Sequence, residues 1–191
     1  MQKIILVNGP PSSGKDTLAD YMERAFGAEH IKFAAPMYNA IPQLFNLSPL
    51  TWKILYEEAK EIPQKSLGNH SPREAMIWLS EQAMKPHFGI DIFGKLLANS
   101  LPRYEKELFV ISDSGFAPEA QVVLDGLGPD RILLLRLQRQ GCDFSQDSRS
   151  YINLDCETHD VGNDGTLDDL YKRVGELIKP FVGNQCYANT A

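Results

Sequence analysis

The sequence predicts a parallel α/β fold: a central sheet whose strands are joined by helical crossovers. Three observations predict it. The runs KIILVN (3–8), ELFVISD (107–113) and DRILLLRL (130–137) are too continuously apolar for half-exposed strands and suit strands buried on both faces. Segments of helical periodicity alternate with them. The first run passes through a Gly/Pro/Ser cluster straight into one of those helical segments.

Taken in order, residues 3–8 form the first strand. From Lys15 to Phe26 the apolar positions Leu18, Tyr21, Met22 and Phe26 recur at helical spacing until Gly27 stops the run. HIKFAAP (30–36) reads as a short strand ended by Pro36. Residues 37–105 read as mostly helical, with breaks at Pro42, Pro49, Pro63, Pro72 and Pro86. Within them, SPREAMIWLSEQAM offers Ser71 as N-cap, Pro72 at the first helical position and Glu74 at the third. After the strand 107–113, APEAQVVLDGLG (117–128) is a helix, and DRILLLRL the next strand. The polar, turn-rich residues 138–150 read as a loop. TLDDLYKRVGELIKPFV (166–182) closes the fold as an amphipathic helix with Thr166 as N-cap and acids in its first turn. NQCYANTA (184–191) reads as a loose tail.

Composition narrows the class. The 191 residues are 43% hydrophobic and 23% charged, enough for one domain with a real core. A net charge of -6 argues against non-specific attachment to a nucleic-acid backbone, which needs a basic surface. Cys142, Cys156 and Cys186 lack metal-ligand spacing and suit a reduced compartment. No apolar run is long enough to span a membrane, and the chain opens on a strand pattern rather than a leader, so a cytoplasmic protein is expected.

The chemistry concentrates first at Gly9-x4-Gly14-Lys15, between a strand and a helix. Glycines allow backbone N–H groups to turn inward around phosphate oxygens, and the helix N-terminus adds a favourable dipole. Lys15 would bridge the end phosphates as a point charge. The plainer alternative is a Gly-rich turn capping an ordinary helix. Asp16 stands where this motif places Ser or Thr, and Thr17 comes one step, about 100°, too late to replace it. A carboxylate here either serves magnesium as an oxygen ligand, directly or through water, or only stabilises the helix N-terminus.

Asp113 ends a buried strand, at the edge where open parallel sheets bind ligands. It would order a magnesium water shell, hold a substrate group, or simply cap the following turn. Arg136, Arg139 and Arg149 flank the polar loop, and an arginine-bearing loop closing over a phosphate site supplies charge and excludes water. Arg139 and Arg149 are favoured for that role because Arg136 still lies in the strand. Arg73, at the start of its helix, is either a bidentate phosphate clamp or a surface residue. His30, His70, His87 and His159 show no ligand spacing, and Trp52 and Trp78 are expected in the core.

The ordered pieces GPPSSGKDTLADYM, KFAAPM, SPREAM, VISDSGF, DSRSYI and NDGTLDDLYKRV span almost the whole chain. Together they resemble P-loop nucleoside monophosphate kinases, and more narrowly the deoxynucleoside monophosphate kinases of bacteriophages, in which GKDT is itself a family trait. The resemblance implies a three-layer P-loop NTPase fold with a core (1–36 and 106–183), a helical substrate-binding insert (37–105) and a lid (137–150). It implies transfer of the ATP γ-phosphoryl group to a deoxynucleoside monophosphate, with magnesium, and a homodimer by analogy alone; no nucleic-acid or membrane partner is expected. Gly9, Pro10, Pro11, Ser12, Ser13, Gly14, Lys15, Asp16 and Thr17 would hold the ATP phosphates, with Arg136, Asn163 and Gly165 also on the ATP side. Phe33, Arg73, Asp113 and Ser114 would line the monophosphate site. Lys15, Arg139, Arg149 and Asp113 would carry catalysis, with Asp16 and Asp113 toward the metal. One departure stands out: the family often carries an arginine shortly after the strand-end Asp, where this chain reads Ser114, Gly115, Phe116. Alternative readings are a dephospho-coenzyme A or other small-metabolite kinase, and a nucleotide-binding switch, though no NKxD motif occurs.

Overall fold

The computed structural model describes residues 1–145 and 147–183; the expected tail 184–191, with Cys186, lies outside them. Five strands form one parallel sheet: β1 (Lys3–Asn8), β2 (Glu29–Ile31), β3 (Leu108–Ile111), β4 (Ile132–Gln138) and β5 (Glu157–Gly162), in the order β2-β3-β1-β4-β5. The period of two sorts the buried strands between two cores. Ile4, Leu6, Phe109, Ile111, Ile132 and Leu134 face one layer of helices. Ile5, Val7, Leu108, Val110, Leu133 and Leu135 face the other, made by α1 (Lys15–Phe26) and α8 (Leu167–Val182). Both faces being covered explains why these strands read as unbroken apolar runs.

Between β2 and β3 the chain forms α2 (Ala35–Leu44), α3 (Pro49–Glu58), α4 (Pro72–Ile77), a π-helical turn (Trp78–Met84), α5 (Lys85–Phe88) and α6 (Ile92–Ser100). α7 (Ala117–Leu127) follows β3. The Ser71 cap is a full capping box with Glu74, and Thr166 forms the same box with Asp169. At Gly94 of α6 a Cβ would collide with the backbone of Glu119, so α6 and α7 touch main chain to main chain. Beside this contact Lys85 is buried, 2.9 Å from Glu81 Oε1, 3.4 Å from Glu119 Oε1 and 3.5 Å from the Phe116 ring centroid. Burial pushes the Glu119 carboxyl up to about 7.

Four expectations are corrected. β2 stops at Ile31 and does not run to Pro36, because the amides of Phe33 and Ala34 bond the Asp113 side chain and are lost to the ladder. Pro42 lies within α2 and does not break it. Pro86 likewise sits inside α5, after a wide turn in which Lys85 N–H reaches Ser80 O, five residues back. Trp52 is buried as expected, whereas Trp78 is 55% exposed. β5 has no counterpart in the sequence reading: ETHDVG buries only Val161 fully, and its partner β4 defines it.

Candidate active site

The loop from Gly9 to Thr17 joins the C-terminal end of β1 to α1, in the middle of the sheet. Ser12 (φ 61°) and Gly14 (φ 99°) both take left-handed conformations, which turn successive amides toward one side. No side chain caps α1 at Gly14, so the first amides of the helix remain for a ligand. Lys15 Nζ bends back over the loop to Pro10 O at 2.6 Å. Burial, then the field of Arg149, lowers the Lys15 pKa to about 8. The underside of the loop is braced by buried Asn163, whose Nδ2 donates to Ser13 O (2.8 Å) and whose N–H donates to Gln138 O (2.8 Å). A Cβ at Gly14 would overlap Asn163 Nδ2. Gly165 lies just before α8, where a Cβ would meet Asp169 Oδ2 at 3.0 Å.

Asp16 is exposed on the first turn of α1, and its Oδ1 accepts from Lys32 Nζ (2.8 Å) and Ser112 Oγ (2.7 Å). Partial burial would raise its pKa, but the hydrogen bonds from Lys32 and Ser112 bring it below the ordinary carboxylate value. Ser112 Oγ is also 2.8 Å from His30 Nε2. Since Ser112 donates to Asp16, the imidazole donates to Ser112, which makes His30 the Nε2–H tautomer. Burial and neighbouring Lys32 lower the His30 pKa. Asp20, Glu23 and His30 offer donor atoms within 4.8 Å of one another beside this line, with both acids exposed.

Asp113 is one residue beyond Ser112. Its Oδ1 accepts from Phe33 N–H (3.0 Å) and its Oδ2 from Ala34 N–H (2.9 Å); burial raises its pKa against those bonds. Phe33 meets this site through its backbone, since its ring is buried in the core. Ser114 is buried, and its carbonyl accepts from Asn8.

The three loop arginines separate. Arg139 Nη1 donates to Ser12 O (3.1 Å), on the Gly9–Thr17 loop itself. Arg136 turns to the β5 edge, where it bonds Asp160 (2.7 and 3.1 Å) and Asn153 (2.6 Å). Arg149 lies against Gly115, where any Cβ would collide with its side chain. Arg149, from a distant segment, thus packs its stem against the turn that follows Asp113. Its Nε donates to Asp147 Oδ1 (2.8 Å) and its Nη2 to Asp147 Oδ2. Arg73 reaches the same carboxylate, Nη2 at 4.0 Å from Oδ2, and pairs with Glu61 at 3.3 Å. Beyond Lys32 a cleft of about 610 Å³ runs along β2, lined among others by Tyr38, Tyr56, Asn39, Met76 and Tyr104.

No protein-family model matches the chain, and no curated protein matches it in sequence. Solved structures do resemble it. A candidate kinase from Chloroflexus aurantiacus superposes with a TM-score of 0.51 at 11% identity, over 93% of this chain and 99% of that one. A sugar kinase from a Janibacter species gives 0.48 at 14% identity, over 97% and 100%. Thymidylate kinase from Candida albicans gives 0.45 at 17%, over 97% and 96%. The likeness to the first is one of fold: a parallel five-stranded α/β sheet flanked by helices.

Several residues of this site escape sequence reading. Buried Asn8 gives two hydrogen bonds, to Ser114 O (2.7 Å) and Ser150 O (3.0 Å), and accepts one from Ile152 N–H (3.0 Å). It thereby joins β1, the turn after β3 and the loop after β4. The available signal was an amide side chain ending an apolar strand. Lys32, Ser112 and Asp147 stand within KFAAPM, VISDSGF and DSRSYI, and His30 just before the first, but nothing local gave them a role, because only the fold brings them together.

Proposed function

We propose that the protein is an ATP-dependent kinase that phosphorylates a small-molecule monophosphate, with deoxynucleoside monophosphates as the acceptors favoured by its order of motifs. The observation carrying this reading is the cluster of cations on the uncapped Gly9–Thr17 loop: Lys15 folded over it, Arg139 bonded to it and Arg149 close enough to depress the Lys15 pKa. The fit to an ATP phosphate chain rests on the free amides of α1 and the left-handed turns at Ser12 and Gly14. Residues 37–105 are proposed as the substrate-binding unit, 137–150 as the lid, and the β2 cleft as room for the acceptor.

In this mechanism Lys15, Arg139 and Arg149 spread positive charge over the phosphoryl group during in-line transfer. Magnesium, when bound, would neutralise the phosphate oxygens; Asp16 and Asp113 are the acids proposed to hold it through water. An acceptor phosphate is already ionised, so no general base is needed. A hydroxyl acceptor would need one, and Asp113, which also holds the Phe33 and Ala34 amides, is the residue that could serve. Closing the lid would exclude water from ATP.

The test is ADP release measured against a panel of deoxynucleoside and ribonucleoside monophosphates and dephospho-coenzyme A. Turnover is expected with the deoxynucleotides. Turnover with dephospho-coenzyme A alone would move the protein to the metabolite kinases, and turnover with none would leave a nucleotide-binding switch.

A further inference from the structure

The Asp147 carboxylate lies against two guanidiniums. Its side chain is 6% exposed, and the two guanidiniums beside it come from separate parts of the chain. Arg149 engages it with a two-pronged fork, Nε to Oδ1 and Nη2 to Oδ2. Arg73, carried by α4, approaches Oδ2 from the other side at 4.0 Å. The fork of an arginine matches a carboxylate and a phosphate equally well, but a phosphate monoester brings more charge and a third oxygen.

We infer that Asp147 is a built-in competitor: its carboxylate occupies the anion site made by Arg149 and by Arg73, which the resemblance gives to the acceptor's monophosphate, until a phosphate displaces it. The inference rests on the kinase reading above and names the group that the acceptor presents. Which partner moves follows from packing. Arg149 lies in the space left by the missing side chain of Gly115, and its neighbour Ser150 bonds Gly115 O through its N–H (3.4 Å) and Asn8 Nδ2 through its carbonyl (3.0 Å). Asp147 belongs to the stretch between β4 and β5 that, among its described residues, has no helix or strand, so with Arg149 anchored at Gly115 it is the member to swing out. Its Oδ1 also accepts from Arg149 N–H (3.0 Å), as a purely local loop motif would have it. A local motif alone explains neither the burial nor the approach of Arg73. Arg149 holds the Asp147 carboxyl at about 2, so it stays ionised at neutral pH and leaves by exchange with an anion rather than by protonation.

The sign of one substitution decides the matter. Inorganic phosphate is titrated calorimetrically into the full chain. In Asp147→Asn Arg149 loses its ionic partner and Arg73 keeps only Glu61, and phosphate should bind about ten-fold more tightly or better. The gain should vanish when Arg73→Ala is added, and persist when Lys15→Ala is added, which separates this site from the Gly9–Thr17 loop. Asp147→Glu keeps the charge and should bind phosphate as weakly as the parent. Asp147→Ser repeats the neutral test should the Asn variant melt early. Unchanged or weaker phosphate binding in both neutral variants would overturn the inference and make Asp147 a support that merely orients Arg149. A phosphate gain without turnover of any monophosphate would keep the anion site and sink the kinase reading; turnover without the gain does the reverse.

Discussion

Beneath the Gly9–Thr17 loop two buried amide side chains bond the backbone: Asn8 to Ser114 and Ser150, Asn163 to Ser13. Around Arg73 and Arg149 the contacts run from charge to charge, on side chains 36% and 23% exposed. The first kind is costly to break, because each orphaned group stays in the interior. The second kind can exchange one anion for another, because an arginine fork matches a phosphate as well as a carboxylate. The loop side is thus built to be rigid, and the arginine side to trade ions.

The largest way to break this contrast is at Lys15. Lys15→Ala should lower kcat/KM for phosphoryl transfer by about 100-fold or more, with melting behaviour retained. Full activity in that variant would sink the phosphate reading of the loop. Asn8→Ala probes rigidity directly. It strands the Ser114 carbonyl and the Ile152 amide in the interior at about 1 kcal/mol each, with less for the part-buried Ser150 carbonyl, so a loss of about 2 kcal/mol and a fall of several degrees in Tm are expected. Arg73→Ala is the matched test of the exchangeable side. It should cost under about 1 kcal/mol in stability yet raise KM for the acceptor roughly ten-fold, with KM for ATP little changed. If Asn8→Ala proved mild and Arg73→Ala unfolded the chain, the contrast would be reversed.

The smallest effect is in pH. The Lys15 pKa is lowered to about 8 in the free protein, so above that pH the ammonium loses its proton although an unfolded chain would keep it up to 10.5. The folded state therefore gains stability between pH 8 and 10.5. A bound phosphate chain favours the charged form, so ATP binding should take up a proton and weaken as pH rises past 8. Calorimetry in two buffers of different ionisation heat would detect the proton uptake, and its absence would place the phosphates away from Lys15.

Much of the architecture was legible. The three apolar runs became β1, β3 and β4 because burial on both faces leaves a continuous hydrophobic signature. Ser71 and Thr166 announced their helices because a cap is a local bond between residues three apart. β5 left no such trace: a half-exposed edge strand needs little apolar surface, and its Arg136–Asp160 pair exists only once β4 lies beside it. Pro42 and Pro86 misled for the converse reason, since helices here continue past a missing donor.

The same division holds at the site. By itself the sequence determined the glycine spacing, Lys15 after it and the strand and helix around it, because a loop and the first turn of a helix are made from neighbours. The tertiary structure alone decided that Asp16 faces Lys32 and Ser112, that Asp113 holds the turn after β2, and that Arg149 fills the gap at Gly115 beside Asp147. Those contacts join residues tens of positions apart. Parallel strands bring their C-terminal ends to one edge, and only that edge makes neighbours of side chains the sequence keeps separate.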